Sequence, residues 1–255
     1  MLQTILKKPE LYDLLYQDVK EDISLYKTLL KDYNEIVEYG AGTGRITIPL
    51  ATEGKRIIAI DNEENMLKKL KKKIQKLNLE KQIQVVNADM ITYNQNKESN
   101  CVIMPLTVFN YIIDEEKQNE CLSNIHKYLS KEGILIIELL TKETFKEIEN
   151  DKYGAEFKYI KKFETDDGYY EYWRKTKLNL KTNYIEQERL FKHFNKEMNL
   201  DNEEMFIWEN IYISYEEMKN KLEKNGFVIG NAYRNCKLDF YNKDSEDLFI
   251  KARKQ

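Results

Sequence analysis

Apolar residues recur along this chain with two periods, and the change of period divides it. Leu11, Leu14, Leu15, Val19, Ile23, Tyr26, Leu29 and Leu30 return at three- and four-residue steps, the spacing of one helix face. They predict a helix over Glu10 to Leu30, and Pro9 stands where a helix start tolerates it. Short β-branched runs follow at Ile36–Tyr39, Lys55–Asp61, Ile83–Asp89, Cys101–Thr107 and Ile134–Leu140. Between them, Met66, Leu67, Leu70, Ile74 and Leu77 mark one helix face, and Glu115–Leu129 reads as another helix. Strands alternating with helices predict a parallel sheet covered on both faces.

The character changes near Tyr153. Residues 153 to 215 hold fifteen of the thirty aromatic residues and both tryptophans. Tyr170, Tyr172, Arg174, Thr176 and Leu178 alternate with Tyr169, Glu171, Trp173, Lys175 and Lys177, and period-two runs recur over Tyr184–Phe194 and Glu204–Ile213. Turn residues at Asp166-Asp167-Gly168 and Lys181-Thr182-Asn183 separate them. This predicts about four antiparallel strands. The α/β pattern then returns. Ser214-Tyr215-Glu216-Glu217 is a capping box, Met218 and Leu222 face inward, Gly226 ends that helix, and Phe227–Gly230 and Asp247–Ala252 give two closing strands.

Gly40, Gly42 and Gly44 sit at alternate positions directly after the first strand. A backbone free of Cβ atoms there turns sharply and passes close to a ligand, with the N–H groups of the next helix facing whatever fills the turn. The spacing is G-x-G-x-G, with Arg45 following and Glu38 two residues before. The dinucleotide fingerprint is instead G-x-G-x-x-G. About twenty residues on, the second strand ends in Asp61, where a carboxylate can accept both hydroxyls of a ribose. Asn62 follows, where a side chain can lie over the edge of an adenine. The third strand ends in Asp89, which is read either as a ligand group or as a cap.

Glu38-x-Gly40-x-Gly42-x-Gly44, Ile60-Asp61 with Met66-Leu67, and Ile83–Asp89 together resemble the class I S-adenosylmethionine (SAM)-dependent methyltransferases over residues 10–150 and 214–252. The resemblance implies a Rossmann-like α/β fold, a seven-stranded doubly wound sheet of order 3-2-1-4-5-7-6 with the seventh strand antiparallel. It implies SAM as cofactor. Gly40, Ala41, Gly42, Gly44 and Arg45 would lie along its methionine part, and Glu38 would order the loop and the ammonium. Met66 would back the adenine, Asp89 would accept from its amino group, Met90 would pack on the ring, and Ala88 would also line the cofactor. Leu11-Tyr12-Asp13-Leu14-Leu15-Tyr16 resembles an entry helix whose tyrosine, assigned to Tyr16, caps the cofactor; the same tyrosines could simply pack. The antiparallel segment has the look of the β-lid of glycine and amino-sugar N-methyltransferases. Its bounds are 151–213 within a cofactor domain of 1–150 and 214–255; a dimerisation sheet is the other role it could fill.

Met104-Pro105-Leu106-Thr107 departs from the N/D-P-P-Y/F tetrad of enzymes that methylate a flipped base, which argues against that substrate. It leaves Leu106, Thr107, Asn110 and Tyr111 near the transferred methyl. Tyr16, Asn110, Tyr111 and His193 are the catalytic candidates, with Glu138 nearby. His193 is the one with an ordinary pKa suited to a base.

Composition narrows this further. A net charge of −3 over 255 residues with 33% charged side chains gives no basic excess for nucleic acid. The lysines from 68 to 76 read as a solvated helix face. No apolar run is long enough to span a membrane, and Met1–Glu10 does not resemble a secretory signal. Cys101, Cys121 and Cys236 fit no disulfide frame or metal site, as expected of a cytoplasmic protein. The expectation is methyl transfer to nitrogen or oxygen of a small molecule, without metal. The alternatives are an RNA or protein methyltransferase, a non-catalytic SAM-binding regulator, and a NAD-dependent oxidoreductase.

Overall fold

The computed structural model describes residues 4–94, 97–145 and 156–255. Its first elements are helices α1 (Pro9–Tyr16) and α2 (Glu21–Leu29), then strand β1 (Glu35–Tyr39), α3 (Thr47–Thr52), β2 (Arg56–Asp61), α4 (Glu64–Leu77) and β3 (Ile83–Asn87). β4 (Ser99–Met104), a 3₁₀ turn at Val108–Tyr111, α5 (Glu115–Tyr128) and β5 (Leu129–Leu140) follow. Next come β6 (Lys158–Thr165), β7 (Gly168–Asn179), β8 (Tyr184–Asn195) and β9 (Leu200–Ile211). The chain closes with α6 (Tyr215–Lys224), β10 (Phe227–Tyr233) and β11 (Asp247–Lys254).

Seven strands form one sheet in the order β3-β2-β1-β4-β5-β11-β10. β11 runs antiparallel to β5, whereas β1 to β5 pair in parallel. This is the expected 3-2-1-4-5-7-6 sheet. Successive strand residues point to opposite faces, and each face has its own core. Ile36, Cys101, Ile103, Ile134 and Ile136 pack under α2, α3 and α4. Val37, Val102, Met104, Leu135 and Ile137 pack under α5 and α6. β6 to β9 form a separate four-stranded antiparallel sheet. The bounds 151–213 expected for it begin at 151–155, which lie outside the described residues.

The single helix expected over Glu10–Leu30 is two. Gln17 to Lys20 are exposed, Val19 included, so no buried side chain holds a turn there. The Val19 carbonyl accepts from Arg45 Nη1 at 3.1 Å instead. Glu21 and Asp22 then start α2, where acids favour a helix N-terminus. β3 stops at Asn87, so Asp89 is not a strand residue. It opens a turn in which its Oδ1 accepts from the Ile91 N–H at 2.8 Å. α3 begins at Thr47, three residues beyond the last glycine of the loop.

α6 carries the capping box read from sequence: Ser214 Oγ accepts from the Glu217 N–H at 3.2 Å, and Glu217 accepts from the Ser214 N–H at 2.7 Å. Ser214→Ala should lower unfolding free energy by about 0.5–2 kcal/mol. A denaturant midpoint unmoved by the substitution would show that packing alone holds this helix.

Candidate active site

The glycine turn leads out of β1 at the carboxyl edge of the sheet. Gly40, Gly42 and Gly44 have φ of 71°, 55° and 89°, a region that L side chains rarely adopt. At Gly40 a Cβ would also lie 2.2 Å from Val108 Cγ2. The loop is stitched to the neighbouring strand tips. Ala41 N–H donates to the Ile60 carbonyl at 2.9 Å, and Ala88 N–H donates to the Asp61 carbonyl at 3.0 Å. Asp61 Oδ2 accepts from the Gly42 N–H at 2.8 Å, and its Oδ1 from the Glu63 N–H at 2.8 Å. Burial nevertheless raises the Asp61 carboxyl above its ordinary range, against those two bonds.

A cavity of about 500 Å³ opens beside this turn. Gly40, Gly42 and Asp61 form one wall, and Asn62 and Met66 continue it. Ala88, Asp89 and Met90 stand opposite, and Leu106, Tyr111 and Tyr12 complete the roof and mouth. Backbone that L side chains rarely adopt, an acid at the β2 tip, and apolar side chains at the third strand's exit fit an adenosyl group with an amino-acid tail. They would hold it through the Gly40–Gly42 backbone, Asp61, Asn62, Met66 and Met90.

Residues 36–133 match the family model described as a methyltransferase domain. The fold is that of a class I SAM-dependent methyltransferase. A methyltransferase from Clostridium acetobutylicum ATCC 824, described as S-adenosylmethionine-dependent, superposes with a TM-score of 0.79 at 16% identity, over 95% of this chain and 96% of that one. The sugar N-methyltransferase KedS8 from Streptoalloteichus sp. ATCC 53650 superposes at 0.75 and 13%, over 96% and 94%. In sequence, a putative methyltransferase of Geobacillus sp. (strain WCH70) is 26% identical over half of this chain and 54% of its own length. A carboxy-S-adenosyl-L-methionine synthase of Nautilia profundicola is 27% identical over 48% of this chain and 50% of its own. The chain thus spans about half the length of the curated relatives it matches.

Several residues expected at the cofactor site lie elsewhere. Glu38 is buried beneath the loop and accepts from Thr47 Oγ1 at 2.7 Å, so it does not line the cavity. Arg45 turns away to Asp22, with Nη1 at 2.8 Å and Nη2 at 2.5 Å from its two carboxylate oxygens. Gly44 also does not line the cavity; a Cβ there would lie 2.5 Å from Leu70 Cδ1, so its role is close packing on α4. Ala41 is buried in the core under α2 to α4. Glu138 is likewise committed, accepting from the Leu106 N–H at 2.7 Å and from the Tyr26 hydroxyl at 3.3 Å.

The catalytic candidates divide too. Tyr111 lines the cavity. Asn110 is fully buried: its Nδ2 donates to the Ile211 carbonyl at 2.7 Å and its Oδ1 accepts from the Leu140 N–H at 3.1 Å. It is a clamp between β5 and β9, not a group free to meet an acceptor. His193 pairs with Asp201 at 3.2 Å and packs on Tyr170. It stands four residues along β8 from Arg189, about 13 Å by strand rise, and does not line the cavity. Tyr12, not Tyr16, lines the cavity. Tyr16 lies behind it, ring centroids 4.7 Å apart, and its hydroxyl accepts from Arg189 Nη1 at 3.4 Å. Arg189 and Trp208 were not foreseen. Trp208 Nε1 donates to the Tyr111 hydroxyl at 2.6 Å, and the Arg189 guanidinium lies 4.5 Å over the Trp208 ring.

Burial pushes the Glu38 carboxyl from 4.5 up to about 8, with the Thr47 bond and then Arg45 pulling the other way. Burial and then Asp22 raise Glu138 to about 7. Raised folded-state values mean that the folded chain holds protons which the unfolded chain has already released. Stability therefore falls as pH rises from about 4.5 to about 8, and is unaffected by these groups below that window. Denaturant titrations across the window should show this fall, with a shallower slope in Glu38→Gln. Equal slopes in the two proteins would mean that Glu38 does not bind the extra proton.

Proposed function

We propose that this chain transfers the methyl group of SAM to a nitrogen, or less readily an oxygen, of a small molecule. The observation that carries the reading is the polar lining where the cavity meets the antiparallel sheet. Tyr12 and Tyr111 line it with aromatic faces and hydroxyls, backed by Tyr16 and by Trp208, whose N–H goes to Tyr111, and the one histidine of that sheet lies away from them. Burial raises the Tyr12 and Tyr111 phenols further above neutrality, so they donate hydrogen bonds and do not act as bases. An amine with a neutral population needs no base, whereas an alcohol does.

SAM supplies an electrophilic methyl on a sulfonium. The chain's own part is alignment and exclusion of water. The glycine turn and Asp61 fix one reactant, and the phenols orient the other; alignment of this kind is worth roughly 7–11 kcal/mol. Aromatic faces suit a cation at close range. The β6–β9 sheet would act as the roof, in keeping with the likeness over nearly the whole chain to a sugar N-methyltransferase and to an amino pentose methyltransferase, CalS10 from Micromonospora echinaspora (TM-score 0.72, 12% identity, 96% and 97% covered). Bounds of 151–213 for that insertion and a cytoplasmic site of action belong to the same proposal.

Calorimetry should show SAM binding and no NAD binding, and Asp61→Ala should weaken SAM by about 1.5–3 kcal/mol. NAD binding without SAM would overturn the reading. A screen of small amines and alcohols for S-adenosylhomocysteine release should return amines. Turnover of RNA or protein alone would move the chain to another substrate class.

A further inference from the structure

Arg189 is a buried cation with neutral partners. Its Nε and Nη2 donate to Gln187 Oε1 at 3.2 and 2.9 Å, and Nη1 donates to the Tyr16 hydroxyl at 3.4 Å. Among the described residues no carboxylate lies within ion-pair distance of it, although it is only 5% exposed. Its electrostatic neighbours are the phenols of Tyr16, Tyr172 and Tyr111. A guanidinium has five N–H groups, so two are left over. Taking such a charge out of water is expensive unless an anion meets it.

A second observation makes the imbalance worse. Arg174 of β7 is the direct cross-strand partner of Arg189, so the two side chains leave the sheet on the same face, where like charges oppose each other. Arg174 also has no ion pair among the described residues, and it lies near the Tyr172 phenol. Asn210, fully buried on the same face as Trp208, has no hydrogen-bond partner for either Nδ2 or Oδ1. A face with two guanidiniums that have no ion pair among the described residues and an unpartnered amide, joined through Trp208 and Tyr111 to the cavity, is built for oxygens that carry negative charge.

We propose that Arg189, with Arg174 beside it, binds an anionic group of the methyl acceptor, a carboxylate or phosphate. This rests on the reading of the cavity as a methyl-transfer site. The planar fork of arginine matches two oxygens of either group. The acceptor is then an amine that carries its own anion, held with the amine towards Tyr111 and the anion under the sheet.

Trp208 is a built-in reporter, since the guanidinium lies over its ring. The chain has two tryptophans, and Trp173 faces the other side of the sheet, so Trp173→Phe isolates the Trp208 emission. Acetate, inorganic phosphate and neutral acetamide would be titrated into this full chain, with S-adenosylhomocysteine present. One of the anions should shift the emission saturably and acetamide should not; the tighter anion identifies carboxylate or phosphate. Arg189→Gln should weaken that anion by roughly 10- to 100-fold, the range for a hydrogen bond to a charged group, and Arg189→Lys should restore part of it. Silence with both anions, or equal binding in Arg189→Gln, overturns the proposal. The first of these outcomes needs no variant at Arg189, so a folding defect in Arg189→Gln leaves it decisive. SAM calorimetry on the unsubstituted chain separates the two readings: SAM bound without any anion defeats only this inference, whereas no SAM defeats the methyltransferase reading beneath it.

Discussion

One carboxylate holds the cavity together. Asp61 takes the Gly42 N–H on one oxygen and the Glu63 N–H on the other, while its own carbonyl takes the Ala88 N–H. Three successive strand exits therefore meet at a single residue. The glycine turn is strained ground for any other side chain, and this acid keeps the turn in place. The register of β1 on β2, with Tyr39 opposite Ile60, sets the height at which turn and acid meet. Sheet register and ligand slot are one constraint.

Beneath the turn lies a second layer of acids around one cation. Arg45 lies between Asp22, Glu38 and Glu138, and it forms its ion pair with Asp22. Buried acids in excess of bases favour protonation of some of them. The Glu38–Thr47 and Glu138–Leu106 bonds anchor the start of α3 and the exit of β4 from below. Leu106 and Thr107 are held there with φ of 48° and 57°, a conformation that non-glycine residues keep only where their surroundings impose it. These acids brace the cavity from below and are not among the residues that line it.

The sheet and its cofactor edge were legible because backbone demands leave a trace in residue type. Glycine is favoured throughout the turn, and at Gly40 and Gly44 a Cβ would clash, while an acid at the β2 tip falls at a fixed spacing. The side proposed to face the acceptor left a poorer trace. The run Tyr184–Phe194 alternates clearly, but Glu186, Glu188 and Lys192 oppose Gln187, Arg189 and His193, so both faces look polar. Nothing in the pattern says that the arginine face is the buried one. Asn110 misled for a related reason: an asparagine that satisfies three backbone groups across β5 and β9 has the same one-letter appearance as one that meets a substrate. Periodicity over Glu10–Leu30 likewise continued through Val19, where no packing partner existed.

The break after α1 has an effect beyond shape. Its four residues connect to the glycine turn through the Val19 carbonyl and Arg45, and to the antiparallel sheet through Asp18, which pairs with Lys161 of β6. The turn and the antiparallel sheet are thus tied to the same short connection, and a molecule on the one and a molecule beneath the other would share it. Binding equilibria that share a support are thermodynamically reciprocal. Whatever factor the first occupant adds to the affinity of the second, the second returns to the first, and release of either loosens its companion by that same factor.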